Sequence, residues 1–267
     1  MHKSFFDKEY IEYFAVLRYG SCKLIRPDIM ARQNFLPKSV IVYLIPYYAG
    51  ETVNISRYAS ALDYHLYIKE LNLRLEDFLR NSYPKNNYKG YGDSSPIDER
   101  HAALISGLGI LGTNRLVINE KYGSYVFIGE MMTDIDPELL GAADPCEINS
   151  CRKCGICQKN CPTGSLIDST AACLSEITQK KGELSDSEKE IIRKCGTVWG
   201  CDACQVCCPH NRNVSITPIE FFRQGRIEEL TEQTLCSMSD DEFKMRAFSW
   251  RGRKTVERNI KHIMKND

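Results

Sequence analysis

Four cysteines near the middle of the chain have a spacing that implies chemistry. They read Cys151-x2-Cys154-x2-Cys157-x3-Cys161, followed at once by Pro162, the run with which bacterial ferredoxins bind [4Fe-4S] clusters. Two-residue gaps let three thiolates converge on one cubane in a tight turn, and the fourth cysteine points to another cluster. A second block, Cys201-x2-Cys204-x2-Cys207-Cys208-Pro209, ends in the same Cys-Pro signature. Two cubanes need about eight thiolates. Exchanged in the ferredoxin manner, the first cluster takes Cys151, Cys154, Cys157 and Cys208. The second takes Cys161, Cys201, Cys204 and one further residue. Cys146, Cys173, Cys195 and Cys207 compete for that place, and Cys173 is favoured.

Zinc is the competing reading, because two Cys-x2-Cys pairs can form a four-cysteine ribbon. It does not account for three-thiolate turns followed by Cys-Pro, twice over. The chain carries 13 cysteines in 267 residues, ten of them from Cys151 to Cys208. The stretch Met1–Tyr10 is polar and charged, unlike a secretory leader. A cytoplasmic location with reduced thiols is the expectation, which disfavours disulfides and favours metal. Cys22, Cys146, Cys195, Cys207 and Cys236 remain as small buried apolar residues. With 35 basic and 35 acidic side chains the net charge is zero, so no strong electrostatic pull toward nucleic acid is expected. No apolar run approaches the ~20 residues that span a bilayer, so no membrane association is expected.

The surrounding elements read as an α+β arrangement. Residues 36–48 form the clearest strand, β-branched and aromatic, with no charge after Lys38. Residues 63–79 carry apolar side chains at helical spacing. A loop rich in Asn, Tyr, Lys and Gly follows over 81–92, then a helix over 101–108 and two strands over 115–119 and 123–133 joined by a short turn. The loop at 137–145 is the expected domain boundary. Ser185 and Glu188 form a capping signature for a helix over 185–194, and helical periodicity recurs at 219–230 and 255–264. This divides the chain into 1–140, a ferredoxin-like two-cluster part at 141–215, and a helical extension at 216–267. A ferredoxin needs only the block that carries its thiolates, so the preceding residues imply a second redox partner bound there.

Short motifs in order carry a resemblance. They are Leu36-Pro37-Lys38-Ser39-Val40-Ile41-Val42, Arg57-Tyr58-Ala59 with Asp63-Tyr64-His65, and Asp93-Ser94-x-Pro96 with Glu99-Arg100. Gly107-Leu108-Gly109, Gly112-x-Asn114, Tyr122-Gly123-Ser124 and Gly129-Glu130-x-x-Thr133 follow. Then come Cys161-Pro162-Thr163-Gly164, Gly200-Cys201-Asp202-x-Cys204-Gln205, Cys208-Pro209 and Ser249-Trp250-Arg251-Gly252. Over residues 36–260 the chain resembles the epoxyqueuosine reductases, cobalamin- and iron–sulfur-dependent enzymes of queuosine-tRNA synthesis.

The resemblance implies a nitroreductase-like cobalamin-binding domain, a double [4Fe-4S] domain and base-off cobalamin with no histidine on cobalt. It puts a lone ligand cysteine on Cys173-Leu174-Ser175 and chooses Cys208 over Cys207. It implies that Ser56, Arg57, Asp93, Val117, Ile128, Leu174 and Lys181 lie near the corrin, and that Asp93 is the general acid. Loss of the epoxide oxygen requires a protonated leaving group, which a carboxylic acid can supply. His65 is then structural or lines the substrate pocket, and Glu99-Arg100 is a structural ion pair or helix start.

The implied partners are tRNA and an external donor of flavodoxin or ferredoxin type, with the protein a monomer. Two departures stand out. Gly112-Thr113-Asn114 replaces the family's Gly-Lys-Asn, and the chain reads as a short form without the family's C-terminal helical repeats. Fewer phosphate contacts weaken tRNA binding, leaving Arg246, Arg251, Arg253, Lys254, Arg258, Lys261 and Lys265 as candidate RNA contacts or a solvated face. The alternatives are reduction of a small molecule, as in reductive dehalogenases, or a non-enzymatic electron carrier.

Overall fold

The computed structural model describes residues 2–264; Lys265, counted above among the basic residues, lies outside them. The chain groups into two compact units, Met1–Pro46 with His65–Lys153, and Tyr47–Tyr64 with Cys154–Asp267. These units do not follow the linear division at 140 and 215. Segment 47–64 groups with the cysteine-rich part because its backbone pairs there: the Ser56 amide donates to the Trp199 carbonyl at 2.8 Å and the Val198 amide to the Asn54 carbonyl at 2.7 Å.

The first unit contains α1 (His2–Lys8), β1 (Phe14–Arg18), α2 (Pro27–Met30), β2 (Ser39–Pro46), α3 (Tyr64–Arg80), β3 (Tyr88–Gly92) and α4 (Glu99–Ile105). It continues with β4 (Ile110–Leu111), β5 (Val117–Ile118), β6 (Val126–Thr133) and α5 (Pro137–Leu140). Four strands form an antiparallel sheet in the order β1-β2-β6-β3. Every residue of β2 is buried, as a central strand covered on both faces requires. Val40, Val42 and Leu44 pack with the α4 residues Ala102, Ala103, Leu104 and Ile105. On the other face the Phe6 ring lies 5.4 Å from Tyr43, and the Tyr43 hydroxyl donates to Asn72 of α3 at 2.8 Å.

Several expectations shift. The loop read at 81–92 ends in β3, whose Tyr-Lys-Gly-Tyr-Gly sequence is weakened as a strand signal by its two glycines. Pairing with β6 makes it an edge strand, and Gly90 is where α3 comes closest: an added Cβ would meet Asn72 at 2.3 Å. The helix read from 101 starts at Glu99, because the Asp98 carboxylate accepts the His101 amide and caps it. The two strands read as a hairpin part company: β5 pairs with β4, β6 with β2 and β3, and only an Asn119–Gly123 bridge joins their ends.

The second unit contains α6 (Ile156–Lys159), α7 (Leu174–Gln179), α8 (Asp186–Cys195), α9 (Ala203–Val206), α10 (Glu232–Ser237), α11 (Asp240–Lys244) and α12 (Arg253–Met264). The capping box on α8 forms as its sequence dictates. The helix read at 219–230 shrinks to a 3-10 turn at Glu220–Phe222. Trp199, Phe243, Phe248, Val256 and Ile260 make one core, and Leu174, Ile177, Leu184 and Ile192 another. Among the described residues no helix is long and apolar enough to cross a membrane.

Candidate functional site

In the second unit the cysteines gather by their electrostatics. Burial pushes the Cys201 thiol up to about 12, helped by the negative field of Cys173; burial, then Cys201 and Cys173, does the same to Cys204. Burial also raises Cys207, with Cys157 and Cys208 adding to it. Thiols that oppose each other's ionisation in a buried place become thiolates readily only beside a strong positive charge, which a metal centre supplies. Cys161 is prepared differently. Burial pushes it up, but the hydroxyls of Ser165 and Thr163, at 3.4 and 3.8 Å, and the amides of Leu166 and Thr163 prevail and hold it near 7. The donor set therefore fits iron–sulfur ligation. Cys208 is buried, whereas the Cys207 thiol turns back to the Cys204 carbonyl at 3.7 Å. Among the described residues no three His, Cys, Asp or Glu side chains approach closely enough to grip a single ion; cubane thiolates attach to different irons and stand farther apart.

Asp202, between Cys201 and Cys204, anchors this unit. Its carboxylate accepts the Ser56 hydroxyl at 2.6 Å, the Arg57 amide at 2.7 Å and the Arg57 Nη1 at 3.2 Å. Arg57 also pairs with Glu51. Ser56 and Arg57 are thus committed to holding the cysteine turn. A groove of about 480 Å³ runs past them, lined by Asn54, Pro162, Leu174, Cys195, Cys201 and Val206 among others. Leu174 is buried in its core and Lys181 is exposed. Three of the basic residues considered for RNA bind their own fold: Arg246 donates to the Gly225 carbonyl, Arg253 to Leu235 and Arg258 to Lys180.

Cys151 belongs to the first unit. Its sulfur accepts the Thr113 amide at 3.3 Å and lies 3.4 Å from the Thr113 hydroxyl. Burial raises this thiol, but the Thr113 and Lys153 bonds prevail and lower it. Position 113, where the family's lysine is replaced, thus serves a cysteine sulfur.

Asp93 follows β3 with φ at 75°, in the left-handed region that costs a non-glycine residue energy. The Arg26 guanidinium donates to its carbonyl at 3.0 Å. Its exposed carboxylate meets the His65 imidazole at 3.5 Å, at the end of a groove of about 500 Å³ between α3 and β3 lined by His65, Lys69, Asn72, Tyr88 and Gly92. Val117 is in the core and Ile128 packs half-buried against it.

Two carboxyl groups behind Asp93 were not read as functional. Burial, then the charge of Asp93, raises Glu99 to about 7, against the Asp93 amide bond, Arg100 and Arg26. Glu130 is fully buried in β6. Burial raises it to about 8 despite the Ser95 hydroxyl bond, and Glu99 and Asp98 add to the rise. An acidic residue inside an otherwise apolar strand was the signal for it.

The mixed α/β fold is one that solved epoxyqueuosine reductases share. The structure from Streptococcus thermophilus superposes with a TM-score of 0.77 at 22% identity, covering 98% of this chain and 79% of that one. An epoxyqueuosine reductase solved with an epoxyqueuosine-modified tRNA-Tyr stem loop gives 0.77 at 24% identity, covering 98% and 80%. The family model "Epoxyqueuosine reductase QueG, DUF1730" matches residues 32–94. The epoxyqueuosine reductase of Gloeobacter violaceus is 32% identical over 231 residues, 79% of this chain and 70% of the relative. That of Staphylococcus aureus is 33% identical over 205 residues, 74% of this chain and 52% of the relative. The chain belongs to the epoxyqueuosine reductase family. It spans about half the length of the Staphylococcus aureus and Listeria monocytogenes relatives it matches.

Proposed function

We propose that this protein is an oxidoreductase that reduces epoxyqueuosine in tRNA to queuosine, working as a cytoplasmic monomer with an external flavodoxin- or ferredoxin-type donor. The observation that carries this reading is the Asp93 turn. A carboxylate held at positive φ, beside an imidazole and at the mouth of a groove, is backbone strain of the kind that collects at active sites. A Bacillus subtilis epoxyqueuosine reductase of similar fold has been solved with its catalytic aspartate loop swung out of the active site, which supports the same role for this turn.

Removing the epoxide oxygen to leave an alkene consumes two electrons and two protons and releases one water. Asp93 delivers a proton to the departing oxygen, and His65 orients the carboxylate. Cys151, Cys154, Cys157 and Cys208 hold one [4Fe-4S] cluster, and Cys161, Cys173, Cys201 and Cys204 the other, in a ferredoxin-like part at 141–215. Clusters and base-off cobalamin, when bound, supply single electrons and a reducing centre.

For the corrinoid, held by a nitroreductase-like part at 1–140, Asp93, Ile128 and Lys181 have open surface to offer. Ser56, Arg57, Val117 and Leu174 are buried, and Ser56, Arg57 and Leu174 line the groove of the second unit. The test is anaerobic reconstitution with iron, sulfide and cobalamin, followed by EPR and turnover on an epoxyqueuosine-bearing tRNA stem loop. Queuosine product with base-off cobalt and cluster signals is expected. A reconstituted protein that binds no corrinoid, or leaves the stem loop unreduced, overturns the reading.

A further inference from the structure

Cys151 and Cys161 share a feature: a side-chain hydroxyl stands beside each sulfur. In the first unit Cys151 runs alongside β4. The Leu111 amide donates to the Asn149 carbonyl at 2.8 Å and the Cys151 amide to the Leu111 carbonyl at 2.9 Å. The turn after β4 is closed by the Gly112 amide on the Leu116 carbonyl at 2.9 Å. This pairing fixes Thr113 against Cys151, whose sulfur accepts the Thr113 amide at 3.3 Å and lies 3.4 Å from its hydroxyl. In the second unit Cys161 opens a tight turn. The Gly164 amide returns to the Cys161 carbonyl at 3.2 Å, with Gly164 at a φ of +71°. The turn brings the hydroxyl of Ser165, a residue only 7% exposed, to 3.4 Å from the Cys161 sulfur. A thiol can donate or accept, but a thiolate can only accept. As cluster ligands, both sulfurs therefore receive a hydrogen bond from these hydroxyls.

We infer that Thr113 and Ser165 are positioning residues that raise the reduction potentials of the two [4Fe-4S] clusters, one hydroxyl to each. The inference rests on the ligand exchange proposed above, which puts Cys151 and Cys161 on different clusters. A cluster that takes up one electron gains one negative charge. A donor aimed at a ligand sulfur stabilises that added charge, so the reduced cluster gains more than the oxidised one and the potential rises. Both donors are in place before the electron arrives, which spares the cost of turning them toward it. Thr113 is set by the pairing of Cys151 with β4, and Ser165 by the turn at Gly164 and its own burial. A lysine at position 113 would offer a charge on a long flexible stem. Threonine offers a hydroxyl one bond from Cβ, at a distance that the backbone fixes. Raised potentials let an external one-electron donor load both clusters under less reducing conditions.

The experiment is a redox titration of the reconstituted protein, followed by EPR. Thr113→Val keeps the shape of the side chain and the backbone amide but loses the hydroxyl, and Ser165→Ala does the same for Cys161. Each should lower one midpoint, and not the same one. The expected fall in the reduced-to-oxidised ratio at fixed potential is roughly threefold to tenfold, about 30 to 60 mV for one electron. Thr113→Ser keeps the hydroxyl and should titrate with the wild type, and the double variant should lower both midpoints. Thr113→Ala removes the same hydroxyl from a smaller side chain and takes the place of Thr113→Val if that variant does not load iron. The readout needs no turnover, so it stands apart from the choice of substrate. A wild type that forms no EPR-active cluster overturns the ligand assignment and the inference with it. Clusters whose midpoints stay put in both variants overturn the inference alone. Variants that both lower the same midpoint overturn the arrangement of one hydroxyl to each cluster.

Discussion

The carboxylate of Asp202 accepts both the amide and the guanidinium of Arg57, at 2.7 and 3.2 Å, across 145 residues of sequence. It also takes the Ser56 hydroxyl, so segment 54–58 braces the turn that presents Cys201 and Cys204. Gly200 permits the approach: its φ is +73°, and an added Cβ would stand 2.4 Å from that of Ser56.

Asp202→Ala should therefore be severe. The Arg57 side chain is only 6% exposed, and Glu51, which also pairs with it, is 73% exposed. Stranding a buried charge costs about 3–5 kcal/mol, lessened by the Glu51 pair. A urea midpoint shift equivalent to at least about 2 kcal/mol is expected. A shift below about 0.5 kcal/mol, the size of an ordinary surface change, would contradict the bracing role.

Asn259 of α12 should matter for a related reason. Its side-chain amide donates to the Thr178 carbonyl at 2.7 Å and to the Val198 carbonyl at 2.8 Å, both buried. Asn259→Ala leaves two acceptors without donors, each worth about 1–3 kcal/mol. Faster amide exchange at 198–201 should accompany the loss, because the neighbouring Gly200 amide depends on the Thr178 hydroxyl.

What was legible in the sequence was what short-range physics writes there. The strand around Val40–Ile45, the helix from Tyr64, the Ser185 cap and the cysteine spacings all depend on residues a few positions apart. What escaped depends on partners far along the chain. Tyr88–Gly92 is a strand only because β6 lies beside it. Ser56 and Arg57, matched to the corrin by motif, are held by Asp202 across some 145 residues. Glu99-Arg100 read as an ion pair or a helix start, and Glu99 does open α4, but its burial beside Asp93 is a tertiary property. Thr113 looked like a lost cation, and its bonds to the Cys151 sulfur could not be read from spacing.

Gly129 is a close approach that the register imposes. It pairs directly with Tyr43, and an added Cβ would meet the Tyr43 ring at 2.3 Å. The ring is fully buried and hydrogen-bonded to Asn72, so it cannot swing away. Gly129→Ala should cost about 1–3 kcal/mol, the usual penalty of overpacking. Gly20→Ala, which meets nothing within 4 Å, should stay within about 0.5 kcal/mol. Equal urea midpoints for the two variants would show that β2 and β6 are not in this register.

The buried acids also set how stability depends on pH. Glu130 titrates at about 8 and Glu99 at about 7 in the fold, both above the ordinary value of 4.5. Between those limits the native state holds more protons than the unfolded chain, so stability falls as pH rises. The full contribution is present below about pH 4.5. It is lost progressively as pH rises through about 8, above which both groups are ionised in either state, and each engaged proton contributes ~1.4 kcal/mol per pH unit. Glu130→Gln keeps a hydrogen-bonding group of similar shape without the charge. It should flatten the slope between pH 6 and 8 and make the variant the more stable protein at pH 8. Urea denaturation at half-unit pH steps is the measurement. A wild-type curve that rises over this range would mean that Glu130 is ionised in the folded protein and finds its counter-charge elsewhere.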